Sequence, residues 1–422
     1  MNNRWLVGVA AMAAVAGLAQ AGFAQGKKAA PPRASGGPVA TYWLSADTVS
    51  GMSAMGGMAG MAAMAGGGSG GAMADSAPKP PSAGQIIGGL LGRGGMFGRK
   101  SRKAQAPTGG QAPAAAPSEP LVHQLFLQLG SRTRPTAAPS AEHLVPPALQ
   151  AGASLPLVTP ETAPTGPMGQ FERPKGKILL YWGCGERART GQPVTIDFSR
   201  LAAGQMPPGM GNAMQVRTEQ GPSLGRYPGY GEWPNKRETR QLPATSSLVG
   251  NHVVRGNYSP EIPFSLAPGQ DFMAPLRLTE NAPMASGAVS LRWAAVPGAT
   301  GYHAWVSGAT PDGTLVMWSS SESQMFGMAA DYLAPGEAAR LVQSRVLLSP
   351  ATSQCAVPAE VQRSVQGAML MMTAYGPETN LSQPKPAGAP VSWRPEWTVK
   401  LRTKATNSGM LGMDMAAMMR GR

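Results

Sequence analysis

One stretch constrains the fold of this chain more than any other: Val-Ser-Leu-Arg-Trp-Ala-Ala-Val-Pro-Gly-Ala-Thr-Gly-Tyr-His-Ala-Trp-Val, residues 289–306. Val289, Leu291 and Trp293 alternate with Ser290 and Arg292, the two-residue period of a strand with one buried face. Pro297 and Gly298 end that run, and Thr300-Gly301 closes a turn. Residues 302–306 resume an aromatic and β-branched strand. Two strands around so tight a connection predict a β-sandwich and a mainly β fold class.

The same residues resemble a fibronectin type III domain. That family carries a Trp on its second strand, a Pro-Gly-Ala-like turn and a Gly-Tyr opening its third strand. Trp293, Pro297, Gly298, Ala299, Gly301 and Tyr302 stand at the matching places. Residues 368–377 are similar to the family's sixth strand and the loop after it, and residues 391–403 would supply the last strand. The resemblance spans residues 283–406. Two departures stand out: the sixth strand lacks its opening Tyr, and residues 326–341 look like an inserted loop or short helix. The resemblance implies a binding or spacer module, although a fold alone does not fix a function.

Composition divides the rest. The 422 residues include 55 glycines and 41 prolines, close to the level at which low complexity replaces packed cores. Charged residues make up only 14%, so charge repulsion does not keep the chain open. Residues 1–25 read as a signal peptide: Arg4, then an apolar run at 6–18 too short to span a bilayer, then small residues at Ala19-Gln20-Ala21. Residues 26–120 form a Gly/Ala/Met/Pro-rich arm expected to be largely disordered. Within it Thr41-Tyr42-Trp43-Leu44 is a short strand that would have to join a sheet formed later in the chain. Residues 121–282 predict an irregular β-rich domain with strands at 121–129, 178–182, 194–198, 248–258 and 272–278. The sandwich at 283–406 follows, then a methionine-rich flexible tail at 407–422.

Several features bear on binding. Met52, Met55, Met58, Met61 and Met64 recur at every third position, and Met410, Met413, Met415, Met418 and Met419 repeat the theme. Thioethers are soft ligands that suit Cu(I); low-complexity filler is the competing reading. Residues 85–103 join a glycine-spaced apolar run to Arg99, Lys100, Arg102 and Lys103, a pattern for peripheral contact with anionic lipid or for a solvated linker. Trp43 and the aromatic segment containing Tyr227, Tyr230 and Trp233 are candidate contact residues for a partner. Cys184 and Cys355 are the only cysteines. They form either a disulfide or two separate thiols, and the sequence leaves both open.

No catalytic constellation emerges. Gly67-x-Ser69-x-Gly71 lies in glycine-rich sequence without the strand-turn-helix that a nucleophile elbow needs. Gly176-Lys177 runs into Ile178, so there is no Walker loop. His123, His143, His252 and His303 lack metal-ligand spacing, and Asp197 and Asp331 lack visible partners. His303 reads as an outward-facing sandwich residue. The chain is therefore expected to be an exported, non-enzymatic envelope protein that binds or spaces an envelope protein or polymer. A periplasmic Cu(I)-binding protein is the alternative, and an envelope-polymer hydrolase a distant third. Diluted charge and the absence of a binding motif argue against nucleic acid.

Overall fold

The computed structural model describes residues 37–55, 119–161, 176–202, 205, 216–325, 331–365 and 367–413. The signal-peptide reading and the 85–103 segment lie outside the described residues. All the named strands fall within one unit, Pro38–Arg422. The fold is mainly β. In chain order the strands are β1 (Ala40–Gly51), β2 (Leu121–Ser131), β3 (Ala141–Leu144), β4 (Ser154–Leu157), β5 (Lys177–Trp182) and β6 (Val194–Asp197). Then come β7 (Gly229–Trp233), β8 (Leu242–Pro243), β9 (Gly250–Gly256), β10 (Ser259–Leu266), β11 (Leu278–Pro283) and β12 (Val289–Trp293). The series ends with β13 (Gly301–Ala309), β14 (Leu315–Ser319), β15 (Gln354–Val357), β16 (Met369–Ser382) and β17 (Trp397–Met410).

One ten-stranded sheet runs through the unit in the order β6-β5-β14-β13-β16-β17-β1-β2-β7, with β8 beside β2. Two smaller sheets, β10-β9-β3-β4 and β11-β12-β15, complete the fold. The long strands serve two cores. Trp397, Val399 and Leu401 of β17 join Tyr42, Leu44 and Ala46 of β1 and the β10-β9-β3-β4 sheet in one cluster. Further along the same strand, Ala405 joins Trp293, Tyr302 and Val306 with the β11-β12-β15 sheet in the other. Successive side chains of a strand face opposite ways, so the odd-numbered row of β17 feeds both cores.

The crossing between the two small sheets runs through residues 267–277. Phe272 packs on the first core, while Met273 and Leu276 belong to the second. The Thr48 hydroxyl donates to the Met273 carbonyl at 2.7 Å, and the Ser50 hydroxyl to the Leu276 carbonyl at 2.9 Å. Asn407 donates to the same Leu276 carbonyl at 3.1 Å. Side chains rather than a neighbouring strand satisfy these buried carbonyls, so residues 272–277 are irregular and the strand expected at 272–278 does not form.

Three expected boundaries change. Residues 40–51 lie inside the expected low-complexity arm, yet they form a strand buried almost throughout. β1 is seated on both sides, parallel to β17 from Ala40↔Trp397 to Gly51↔Ser408 and antiparallel to β2. The boundary between 282 and 283 cuts a continuous sheet, because β2, β5, β6 and β7 join β13, β14, β16 and β17. The expected tail begins too early: Asn407 to Met410 complete β17, and Leu411 is buried. The inserted segment expected at 326–341 does hold a helix at Pro335–Gln343. Among the described residues no helix is long and apolar enough to cross a membrane.

Ser50 faces Leu121 across the β1–β2 pair, and the Gly51 amide donates to the Pro120 carbonyl at 3.2 Å. Residues 56–118 therefore connect the two ends of one hairpin. Replacing them with a short Gly/Ser turn should keep a single cooperative melt. Shortening such a loop from about sixty residues to a handful lowers closure entropy by about 2 kcal/mol, so the melting temperature should hold or rise by a few degrees. Loss of the cooperative transition in thermal circular dichroism would refute this assignment.

Candidate functional site

The richest polar arrangement lies on the outer face of β17 and β1. Lys400, Arg402 and Lys404 occupy alternate positions of β17 and so share one face. Trp43 of β1 and Tyr332 interleave with them. Lys400 Nζ lies 5.1 Å from the Trp43 ring centroid and Arg402 Cζ 4.7 Å from it. On its other side Arg402 lies 4.5 Å from the Tyr332 ring, with Lys404 Nζ 4.6 Å from that ring. Cation and ring thus alternate five deep, each contact drawing on the negative face of the aromatic.

Carboxylates close both ends. Lys400 donates to Glu378 at 2.8 Å and pairs with Glu219. Lys404 pairs with Asp331 and lies 3.5 Å from Asp47, whose two carboxylate oxygens share the single hydrogen of the Thr406 hydroxyl at 2.7 and 2.8 Å. Burial works against the Lys404 charge, but Asp47 and Asp331 outweigh it and raise its pKa. In the middle, Arg402 donates from Nε to Ser45 at 2.7 Å. Among the described residues it has no carboxylate at ion-pair distance; burial lowers its pKa, and the two rings together with the more distant Asp331, Glu378 and Glu219 offset that cost. Backbone at Gly221 covers the indole: a Cβ there would lie 2.8 Å from Trp43 Cε3. This face is a closed clamp, with its two lysines paired to carboxylates and its arginine held between rings.

A second buried polar chain crosses the first core. The Tyr42 hydroxyl is 2.8 Å from His143 Nδ1, His143 Nε2 is 2.9 Å from His252 Nδ1, and His252 Nε2 is 2.7 Å from the Leu248 carbonyl. That carbonyl can only accept, so His252 Nε2 carries the hydrogen. Neutral His252 then accepts from His143 Nε2–H at Nδ1, and His143 accepts from the Tyr42 hydroxyl. Burial lowers the pKa of both rings and so favours the neutral forms, for which this is the tautomer pair that satisfies every bond. Phe264 stacks on His252 with centroids 4.8 Å apart. The chain ties β1 of the large sheet to β3 and β9 of the facing one.

The expected contact aromatics do not stand on the surface. Trp43, Tyr230 and Trp233 are 6%, 3% and 1% exposed, and Tyr227 is half-buried. The glycines around Tyr230 suggest a loop, but they form β7 because rings and backbone press on them. A Cβ at Gly229 would lie 2.6 Å from Tyr258 Cδ2, and one at Gly231 would lie 2.6 Å from the Tyr258 hydroxyl. His303 does point to the outer side of the sheet, yet it is covered and buried. Cys184 and Cys355 form a disulfide with Cα atoms 5.2 Å apart. Met52 and Met55 lie in a three-ten turn directly after β1, and Met410 ends β17. Met413 is exposed. Met58, Met61, Met64, Met415, Met418 and Met419 lie outside the described residues. Among the described residues no group of three or more His, Cys, Asp or Glu is placed to hold a metal ion.

The sequence reading missed Lys400, Arg402, Lys404, Tyr332 and Asp47. The alternation of the three basic residues was the available signal. The His143–His252 pair had none, because 109 residues separate its members.

Two outcomes follow. Arg402→Gln removes both ring contacts from a buried cation and should cost about 2 kcal/mol, read as a lower urea midpoint. Burial depresses the pKa of all four histidines below 6.5; it is the largest cause for each, and His303 falls to about 4. Between the folded values and 6.5 the unfolded chain binds protons that the folded one refuses. Histidine-linked stability is therefore full above pH 6.5 and declines as pH falls toward 4, by at most about 1.4 kcal/mol per pH unit for each histidine. Urea midpoints at pH 7.5, 6 and 5 check this; a flat series would show that the histidines charge freely in the fold.

No protein-family model matches the chain, and no curated protein matches it.

Proposed function

We propose that the protein is an exported, non-enzymatic module that binds or spaces components of a cell envelope. The disulfide between Cys184 and Cys355, closing 171 residues, carries this reading. Such bonds persist in oxidising compartments and are rare where glutathione keeps thiols reduced. The basic-then-apolar start of the sequence points the same way.

The fibronectin type III reading of residues 283–406 draws support from the last seven strands. Trp293 ends the second of them, Gly301-Tyr302 opens the third, and the two rings lie 5.5 Å apart in one core. A spacer must transmit position, and a single sheet through both cores does so without a hinge at 282–283. The loop at 383–396, which joins the two longest strands, is the contact surface this reading favours. It carries four prolines with Lys385 and Arg394, and Val391 there is 93% exposed.

Fractionation of cells making the full chain, with thiol alkylation by a polyethylene-glycol maleimide under denaturing conditions, tests the proposal. The expected result is an extracytoplasmic protein whose two cysteines react only after reduction. A cytoplasmic protein with two free thiols would overturn it.

A further inference from the structure

Beyond a spacing role, we propose that one end of the large sheet is a soft-metal site for a monovalent thioether-seeking ion, Cu(I), built from Met369, Met371 and Met410 with Met52 and Met55. The first and last of these are separated by most of the chain, and strand pairing alone brings them together. Because β1 runs parallel to β17, with Gly51 opposite Ser408, both strands leave the sheet at the same end. Because β16 is antiparallel to β17, it begins there, with Met369 opposite Met410 and Met371 opposite Ser408. Directly opposed residues have Cβ atoms about 5 Å apart, and diagonal ones remain within reach of long side chains. Met369, Met371, Ser408 and Met410 therefore share the outer face.

The turn that carries the two remaining methionines follows β1 at this same end of the sheet. Gly51 turns the chain with a positive φ of 72°. The following turn docks on Ser408: the Ser53 amide donates to Ser408 Oγ at 2.8 Å, and the two hydroxyls are 2.5 Å apart. In a three-ten turn, positions three apart eclipse one another, so Met52 and Met55 lie on one side of it. All five methionines are half-buried, neither locked in a core nor free in solvent. The backbone under Met410 is fixed as well. Asn281 Nδ2 donates to the carbonyls of Met410 and Met413 at 2.8 and 3.0 Å, and Asn281 Oδ1 accepts from the Gly412 amide at 2.8 Å. Neutral thioethers suit the soft, monovalent Cu(I), whereas zinc takes thiolate, imidazole or carboxylate ligands and hard cations take oxygen.

The test uses the purified full chain and Ag(I), a redox-inert probe of the same softness, titrated in chloride-free buffer. The parent should bind Ag(I) and leave Zn(II) unbound. The triple variant Met369→Leu, Met371→Leu, Met410→Leu keeps volume and the other tract methionines while removing three thioethers. It should bind about tenfold more weakly or worse, with an unchanged circular dichroism melt. Equal affinity in the folded variant would overturn the site and return these methionines to packing. If the variant does not fold, peroxide footprinting of the parent decides. Ag(I) should slow oxidation of Met369, Met371 and Met410, and unchanged rates at all three would reject the proposal.

Discussion

The structure depends on the parallel pairing of β1 with β17. It runs unbroken through all twelve residues of β1, and it places β1 in the interior of a sheet covered on both sides. Parallel strands are rarely stable with an exposed face, and here each face has its own chemistry. The inner row of β1, Ala40, Tyr42, Leu44 and Ala46, fills a core. The outer row places Trp43 in the cation–ring stack, Ser45 on Arg402 and Asp47 on Thr406 and Lys404. Moving the strand by one residue would exchange the rows and put Asp47 among leucines.

Buried polar groups do much of the positioning. Thr48, Ser50 and Asn407 place polar side chains on the inner rows of β1 and β17 where the chain must pass from one small sheet to the other, and their bonds to Met273 and Leu276 set that path. The Tyr42–His143–His252 chain does the same between facing sheets. A dry core would tolerate several dockings of two apolar faces. A chain of fixed tautomers accepts one, because any shift leaves a donor or acceptor unmade in a low dielectric.

What the sequence disclosed was what short range could carry. The pair of strands at 289–306 was readable because alternation and turn chemistry lie within eighteen residues, and the strands at 178–182 and 194–198, which pair as β5 and β6, were readable from equally local patterns. Thr41 to Leu44 read as a strand, but its length and centrality did not, because its partner β17 lies 357 residues away. The division at 282–283 failed for the same cause, since a sheet assembled from distant segments leaves no local mark. Around Tyr230 the failure was of another kind. Glycine signals both turns and crowding, and only the ring of Tyr258 shows which applies. The methionine spacing was visible in the sequence, whereas the placing of the Met52–Met55 turn at the end of the sheet where Met410 closes β17 is a product of topology.

The same pairing dictates an order of assembly. A chain made from its N-terminus exposes β1 first and β17 last, so the central strand must wait for nearly every other residue before it can be seated. Contacts this distant slow folding, because the intervening chain must be ordered or looped before they form. Until β17 arrives, β2 offers β1 its only strand neighbour, and the row of Trp43, Ser45 and Asp47 remains uncovered. Both cores therefore lack their β17 side chains, Trp397, Val399 and Leu401 in one and Ala405 in the other, until the last of the described strands has been made.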